Sequence, residues 1–114
     1  MEDCLFCKIV KKEIPARIVF ENEKMIAFED INPQAPLHIL LIPKDHFASL
    51  NEIPEEKKDI LADLLLLARQ IAKEKGISEA GYRIVINTEK ESGQAVFHIH
   101  FHLLGGRQMT WPPG

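Results

Sequence analysis

Cysteine occurs only twice, at Cys4 and Cys7. So sparse a pair leaves no disulfide framework to build on, and a reduced, cytoplasmic setting is the expectation. No apolar run approaches the roughly 20 residues that a bilayer-spanning helix needs. Met1-Glu2-Asp3-Cys4 lacks the basic region and apolar core of a secretory leader, so none is expected. Positive charge is not in excess either. The formal net charge of −3 offers no basic surface, which argues against a general nucleic-acid binder. Internal repeats, low-complexity blocks and linkers are also missing. With 46% hydrophobic and 27% charged residues, the 114 residues read as one ordinary globular domain over 1–114.

What the chain does have is concentrated near its C-terminus, in Phe97-His98-Ile99-His100-Phe101-His102-Leu103-Leu104-Gly105-Gly106. Three histidines alternate with large apolar residues. That period predicts a half-buried strand, with Ile99, Phe101 and Leu103 toward a core and His98, His100 and His102 on the opposite face. Same-face neighbours would stand roughly 6–7 Å apart. A merely polar face could use Thr, Lys or Glu equally well. Three imidazoles so close repel one another when protonated, and neutral imidazole is a nucleophile, a base and a metal ligand.

The remaining elements follow from pattern and punctuation. Asp3 could cap a short helix running to about Lys12. Arg17–Glu21 and Met25–Phe28 read as strands joined by a tight turn, and Leu37–Ile42 as a third strand closed by Pro43. Pro54–Lys75 reads as one long helix, with acidic residues in its first turn, lysines in its last and Gly76 beyond it. Its apolar stripe is Ile60, Leu61, Leu64, Leu65, Ala68, Ile71 and Ala72, which is core material. Tyr82–Asn87 is a fourth strand. The sum is an α+β domain: a five-stranded antiparallel sheet with one short and one long helix, the helices expected on one face.

All five histidines, His38, His46, His98, His100 and His102, fall near strand ends. Taken alone, His38 suits a satisfied core histidine, and it matters only if the third strand lies near the fifth. The loop Glu91–Val96 has the makings of an anion cradle, since Gly93 lets backbone amides turn toward a ligand and Gln94 could add a donor. Cys4-x-x-Cys7 is half of a tetrahedral zinc site, with His46 and His98 as the donors least needed elsewhere. It also suits two small apolar helix residues or a redox pair. The only tryptophan, Trp111, lies on a proline-rich tail that would be frayed unless used in a subunit contact.

The pattern His98-Ile99-His100-Phe101-His102-Leu103-Leu104 resembles that of the histidine triad (HIT) superfamily, in its Hint branch of histidine triad nucleotide-binding proteins. The likeness continues through Lys12–Ala16, Phe28–Pro36, Ile42–Lys44, Gly81–Arg83, Gly93-Gln94, Leu104–Met109 and Trp111–Gly114. What the resemblance implies is a purine nucleoside phosphoramidase, a hydrolase of AMP or GMP conjugates that cleaves a P–N bond at the α-phosphate. His100 matches the nucleophile that carries the nucleotidyl group. His98 and His102 match its flanking partners, and His38 an accessory histidine. Asn87, Gln94 and the backbone of Ala95 and Val96 match phosphate contacts, and Asp30 the carboxylate on the ribose hydroxyls. Leu5, Phe6, Ile9, Phe28 and Ile31 match the apolar slot for the base. Cys4, Cys7, His46 and His98 match a structural zinc quartet found in some members, no cofactor being required for the chemistry. A two-fold homodimer is implied, with the arm 105–114 contacting the partner, and no nucleic-acid or membrane partner.

Ala95 departs from the pattern, standing where the branch commonly has a serine whose hydroxyl faces the phosphate or leaving group. A missing donor there would slow hydrolysis or retune it. Two rivals accompany the main reading: a nucleotide-binding scaffold dimer with vestigial hydrolysis, and a zinc metallohydrolase using the triad as ligands.

Overall fold

Two strands, β2 (Met25–Glu29) and β3 (Leu37–Pro43), are buried along nearly their whole length, as their unbroken apolar runs require. The computed structural model describes residues 3–114, so the first two residues of the domain expected over 1–114 lie outside it. β1 (Ile18–Glu21), β4 (Tyr82–Ile86) and β5 (Phe101–Gly105) complete one sheet in the order β1-β2-β3-β5-β4, antiparallel throughout. β5 therefore lies between β3 and β4, which run in the same direction. The long helix α2 (Asp59–Glu74) makes the crossover between them.

Successive side chains of the inner strands divide between two cores, as a pleated sheet demands. Met25, Ala27, Ile39, Leu41, Phe101 and Leu103 pack against α2, whose Leu64, Leu67, Ala68 and Ile71 form the contacting stripe. Ile26, Phe28, Leu40 and Ile42 point the other way, against Phe6 and Ile9 of the short helix α1 (Leu5–Val10). The two helices thus cover opposite faces, not one. The sheet's inner strands are apolar on both sides, and a single helical layer would leave half of that surface in water.

Other boundaries also move. α1 is capped by Cys4, whose Sγ accepts from the Cys7 N–H, rather than by Asp3, and Lys12 at φ 65° ends the run before Pro15. A separate 3-10 turn at Glu55–Lys57 precedes α2, so the helix proper starts after the Pro54 segment. Leu65 is 44% exposed, and Leu67 takes the core position expected for it. Gly76, at φ 77°, closes α2 with Ile77 N–H bonded to the Ala72 carbonyl, the six-to-one bond of a left-handed cap.

β5 begins only at Phe101, so His98–His100 is not strand. Its backbone is held instead by the segment after β3: the Ile99 N–H donates to the Phe47 carbonyl at 2.7 Å. The facing still alternates. Ile99 joins the α2 core, while the triad histidines face α1.

Candidate active site and metal cluster

The α1 face gathers the histidines into two groups. In the first, Cys4 Sγ lies 3.4 Å and Cys7 Sγ 3.6 Å from His98 Nδ1. His46 Nδ1 stands 3.3 Å from Cys7 Sγ and 3.2 Å from His98 Nδ1. Ligand atoms around a tetrahedral zinc, with bonds of about 2.0–2.1 Å to nitrogen and 2.3 Å to sulfur, are separated by roughly 3.3–3.8 Å. The four donors fit that cage. His98 is also prepared for it: Nε2–H donates to the Pro43 carbonyl at 2.8 Å, which leaves the lone pair on Nδ1, facing the sulfurs. His98 is fully buried, and burial pulls its pKa down to about 4, keeping the ring neutral. Burial likewise lowers the pKa of His46 and raises that of the Cys7 thiol.

The second group is a relay. The Gln34 N–H donates to His38 Nδ1 at 3.0 Å, so the neutral His38 ring carries its proton on Nε2. That Nε2 stands 2.9 Å from His102 Nδ1 and 3.4 Å from an Asp30 carboxylate oxygen. His102 must accept on Nδ1 and hold its own proton on Nε2. His102 Nε2 is buried and has no partner among the described residues. Register explains the meeting: Leu40 of β3 pairs with His102, and His38 lies two residues along on the same face. Burial draws the His102 pKa down to about 4, the neighbouring His100 and His38 pushing the same way. Burial also lowers His38, with the Asp30 charge opposing it.

His100 stands between the groups and belongs to neither. Its Nδ1–H donates to the His98 carbonyl at 2.8 Å, so the lone pair sits on Nε2. Phe6 presses edge-on against the ring, with centroids 5.1 Å apart, and burial lowers its pKa as well. An oriented, neutral imidazole with a free nitrogen is a nucleophile in waiting.

His100 and His102 are among the residues that line a cavity of about 240 Å³. Leu5, Phe6, Ile9, Phe28 and Ile31 line it, all five of the expected slot residues, together with Asp30, Ala95 and Val96. The volume is below the roughly 300–1,000 Å³ of sites that enclose a whole ligand, so part of any occupant stays in solvent. Ile14, Pro15, Ala16 and Leu40 also line it and went unseen in the sequence. Their signal was available in the apolar Ile14-Pro15-Ala16 stretch, which reads as a helix stop.

Two expected contacts sit elsewhere. Gln94 is buried, with both amide protons committed to the carbonyls of Ala48 and Val96, so its side chain is a brace and offers no donor to a ligand. Asn87 directly follows β4, whose last pair is Ile86 with Phe101, and is not among the residues that line the cavity. In the arm 105–114, Arg107 donates to the Gln34 carbonyl at 3.0 Å and Arg83 to the Thr110 carbonyl at 2.9 Å, while Trp111 is 82% exposed.

Comparison with known proteins agrees with this layout. A family described as the HIT domain matches residues 11–109. The chain is similar to the 14 kDa zinc-binding protein of Zea mays, 55% identical over 112 residues that cover 96% of this chain and 87% of that one. It is similar to adenylylsulfatase HINT1 of Arabidopsis thaliana, 54% identical over 112 residues that cover 96% and 76%. Among solved structures, a HIT family hydrolase from Legionella pneumophila Philadelphia 1 superposes with a TM-score of 0.96 at 54% identity, covering 98% of this chain and all of that one.

Proposed function

The chain belongs to the HIT domain family, and from that premise we propose that it is a purine nucleoside phosphoramidase, hydrolysing the P–N bond of an AMP or GMP conjugate. One observation carries the reading. His100 Nδ1–H is tied to the His98 carbonyl, so the lone pair on Nε2 is the free one beside an apolar slot.

The base packs between Phe6, Ile9 and Phe28, and Asp30 accepts from the ribose hydroxyls. His100 Nε2 attacks the α-phosphorus. A P–Nε2 bond forms as the P–N bond to the amine breaks. The His102 Nε2–H hydrogen-bonds the departing nitrogen, which takes its proton from a water molecule, and the hydrogen bond from His38 holds the His102 ring in that tautomer. The hydroxide so formed attacks the phosphorus, and the P–Nε2 bond breaks to release the nucleoside monophosphate and return His100 to its neutral form. Splitting one hard displacement into two is the gain from the covalent intermediate.

Cys4, Cys7, His46 and His98 would hold zinc, which when bound supplies structural bracing. Of the triad, His98 belongs to one potential metal cluster, His102 to the other and His100 to neither, which favours nucleophilic over metal-water catalysis. Two further parts of the reading are a cytoplasmic setting, where the free thiols of Cys4 and Cys7 stay reduced, and a two-fold dimer. Support for the dimer lies in the unpaired edge of β4, the exposed Leu65 and Leu66 of α2, and Trp111.

The test is turnover of adenosine 5′-phosphoramidate by purified protein, before and after chelator treatment. Hydrolysis that survives metal removal and disappears in His100→Ala is the expected result. Loss on chelation with folding intact, restored by zinc, would transfer the chemistry to the metal. Tight AMP binding with no turnover would make the protein a binding scaffold.

A further inference from the structure

The loop between Glu89 and Val96 is held in place by side chains that do not reach the slot. Glu89 sits at φ 68° and ψ −173°, a region that residues with a side chain occupy only under constraint. Gln94 supplies one constraint. Its Oε1 accepts from the Glu89 N–H at 2.8 Å, while Nε2 donates to the Ala48 carbonyl at 2.7 Å and the Val96 carbonyl at 3.1 Å. Ser49 supplies the other. It is fully buried, and its Oγ donates to the Glu89 carboxylate at 3.2 Å and accepts from the Asn51 N–H at 3.1 Å.

This brace works on the two residues that follow. Among the described residues, the N–H groups of Ala95 and Val96 have no protein acceptor, yet both residues line the slot with His100 and His102. Free successive amides after a left-handed glycine, here Gly93 at φ 85°, form an anion-binding concavity. Strain stored in Glu89 is what a ligand clamp requires and what an idle loop would relax.

We propose that Gln94 is a positioning residue, acting with Ser49 and Glu89 to aim the Ala95 and Val96 amides at the phosphate of the bound nucleotide. The inference rests on the nucleotide reading for the identity of the anion. It replaces a direct Gln94–phosphate contact with a bracing role.

The experiment follows the Ala95 and Val96 amide resonances of ¹⁵N-labelled protein during titration with inorganic phosphate and, separately, AMP. Dissociation constants for AMP and adenosine are measured on wild type, Gln94→Glu, Ser49→Ala and Glu89→Gln. Both amides should shift with either anion. AMP should bind about tenfold more weakly to Gln94→Glu and Ser49→Ala. Adenosine, which has no phosphate, should bind them as it binds wild type. Glu89→Gln retains an acceptor for Ser49 and should behave as wild type. Amides unmoved at saturating AMP would overturn the proposal, as would equal weakening of AMP and adenosine. Phosphate that shifts the amides of a protein indifferent to AMP would sink the nucleotide reading and leave the brace standing. Should Gln94→Glu fail to fold, Ser49→Ala keeps every Gln94 bond and carries the same comparison.

Discussion

His38 and His102 meet at 2.9 Å, Nε2 to Nδ1, and the direction of the proton between them is fixed from a third residue. The Gln34 N–H occupies His38 Nδ1, so His38 donates, His102 accepts, and the proton of His102 is left on Nε2, which is buried without a partner among the described residues. A backbone amide thereby selects the tautomer of a side chain two residues removed from it in the chain of hydrogen bonds. Arg107, bonded to the carbonyl of the same Gln34, ties the C-terminal arm to this setting.

Removing His38 should therefore damage leaving-group protonation more than attack. His38→Ala is expected to lower kcat about tenfold or more for a basic amine leaving group, short of the roughly 10²–10⁴-fold of an outright general acid. A phenolate leaving group needs no proton and should be almost unaffected. Equal losses on both substrates in steady-state kinetics would show that His38 does not act through His102.

Ala95 lines the slot, and under the proposed function a hydroxyl at that position would face the phosphate or the departing group. Ala95→Ser should add a donor worth about 1–3 kcal/mol of transition-state stabilisation if the position is aligned. A rise in kcat/KM for adenosine 5′-phosphoramidate is the expected outcome. An unchanged or lower value would mean that the alanine is tuned to a different leaving group.

The buried His102 gives a stability prediction with a definite sign. Burial pulls its pKa from 6.5 to about 4, with His100 and His38 adding to the shift and Asp30 opposing it. The unfolded chain thus takes up this proton at higher pH than the folded one. Its contribution to stability is fully present above pH 6.5, falls as the pH drops toward 4, and levels off below. In metal-free protein the urea midpoint should fall across that range, and His102→Gln should make the fall shallower, His98 keeping its own share. A midpoint equally steep in the variant would assign the loss to other groups.

The dimer is checked by sedimentation. Wild type should run at twice the 13.0 kDa of one chain at micromolar concentration. Trp111→Ala, which removes the largest exposed apolar side chain of the arm, should weaken association or alter selectivity for the leaving group. A single 13.0 kDa species at that concentration would remove the dimer from the reading.

Much of this was legible because period-two patterning outlasts the strand that usually carries it. Ile99, Phe101 and Leu103 take the core side even though β5 starts only at Phe101. The boundary itself was not legible. The partners of His98 and Ile99 are the carbonyls of Pro43 and Phe47, and a carbonyl leaves no mark on residue identity. The same reason hid the brace: Ala48 contributes only backbone, and Ser49 looks like any loop serine until it is found fully buried. On α2, four consecutive leucines, Leu64 to Leu67, blur a helical stripe, and tertiary packing chose Leu67 over Leu65. His46 joined Cys4 and Cys7 as a histidine the nucleophilic centre did not need, and through the resemblance, because spacing could not show that the chain after β3 bends back to α1.

α1 has six residues, far fewer than the roughly 12–15 at which a helix becomes even marginal in water by itself. Its existence is lent by what grips it. Cys4 and Cys7 belong to the four-donor group that would hold a metal, while Phe6 and Ile9 wall the slot. Whatever pins the sulfurs therefore raises affinity for whatever fills the slot. By reciprocity, an occupied slot would then strengthen the binding of a metal there by the same factor. Two sites without a common ligand atom become, through one turn and a half of helix, a single thermodynamic unit.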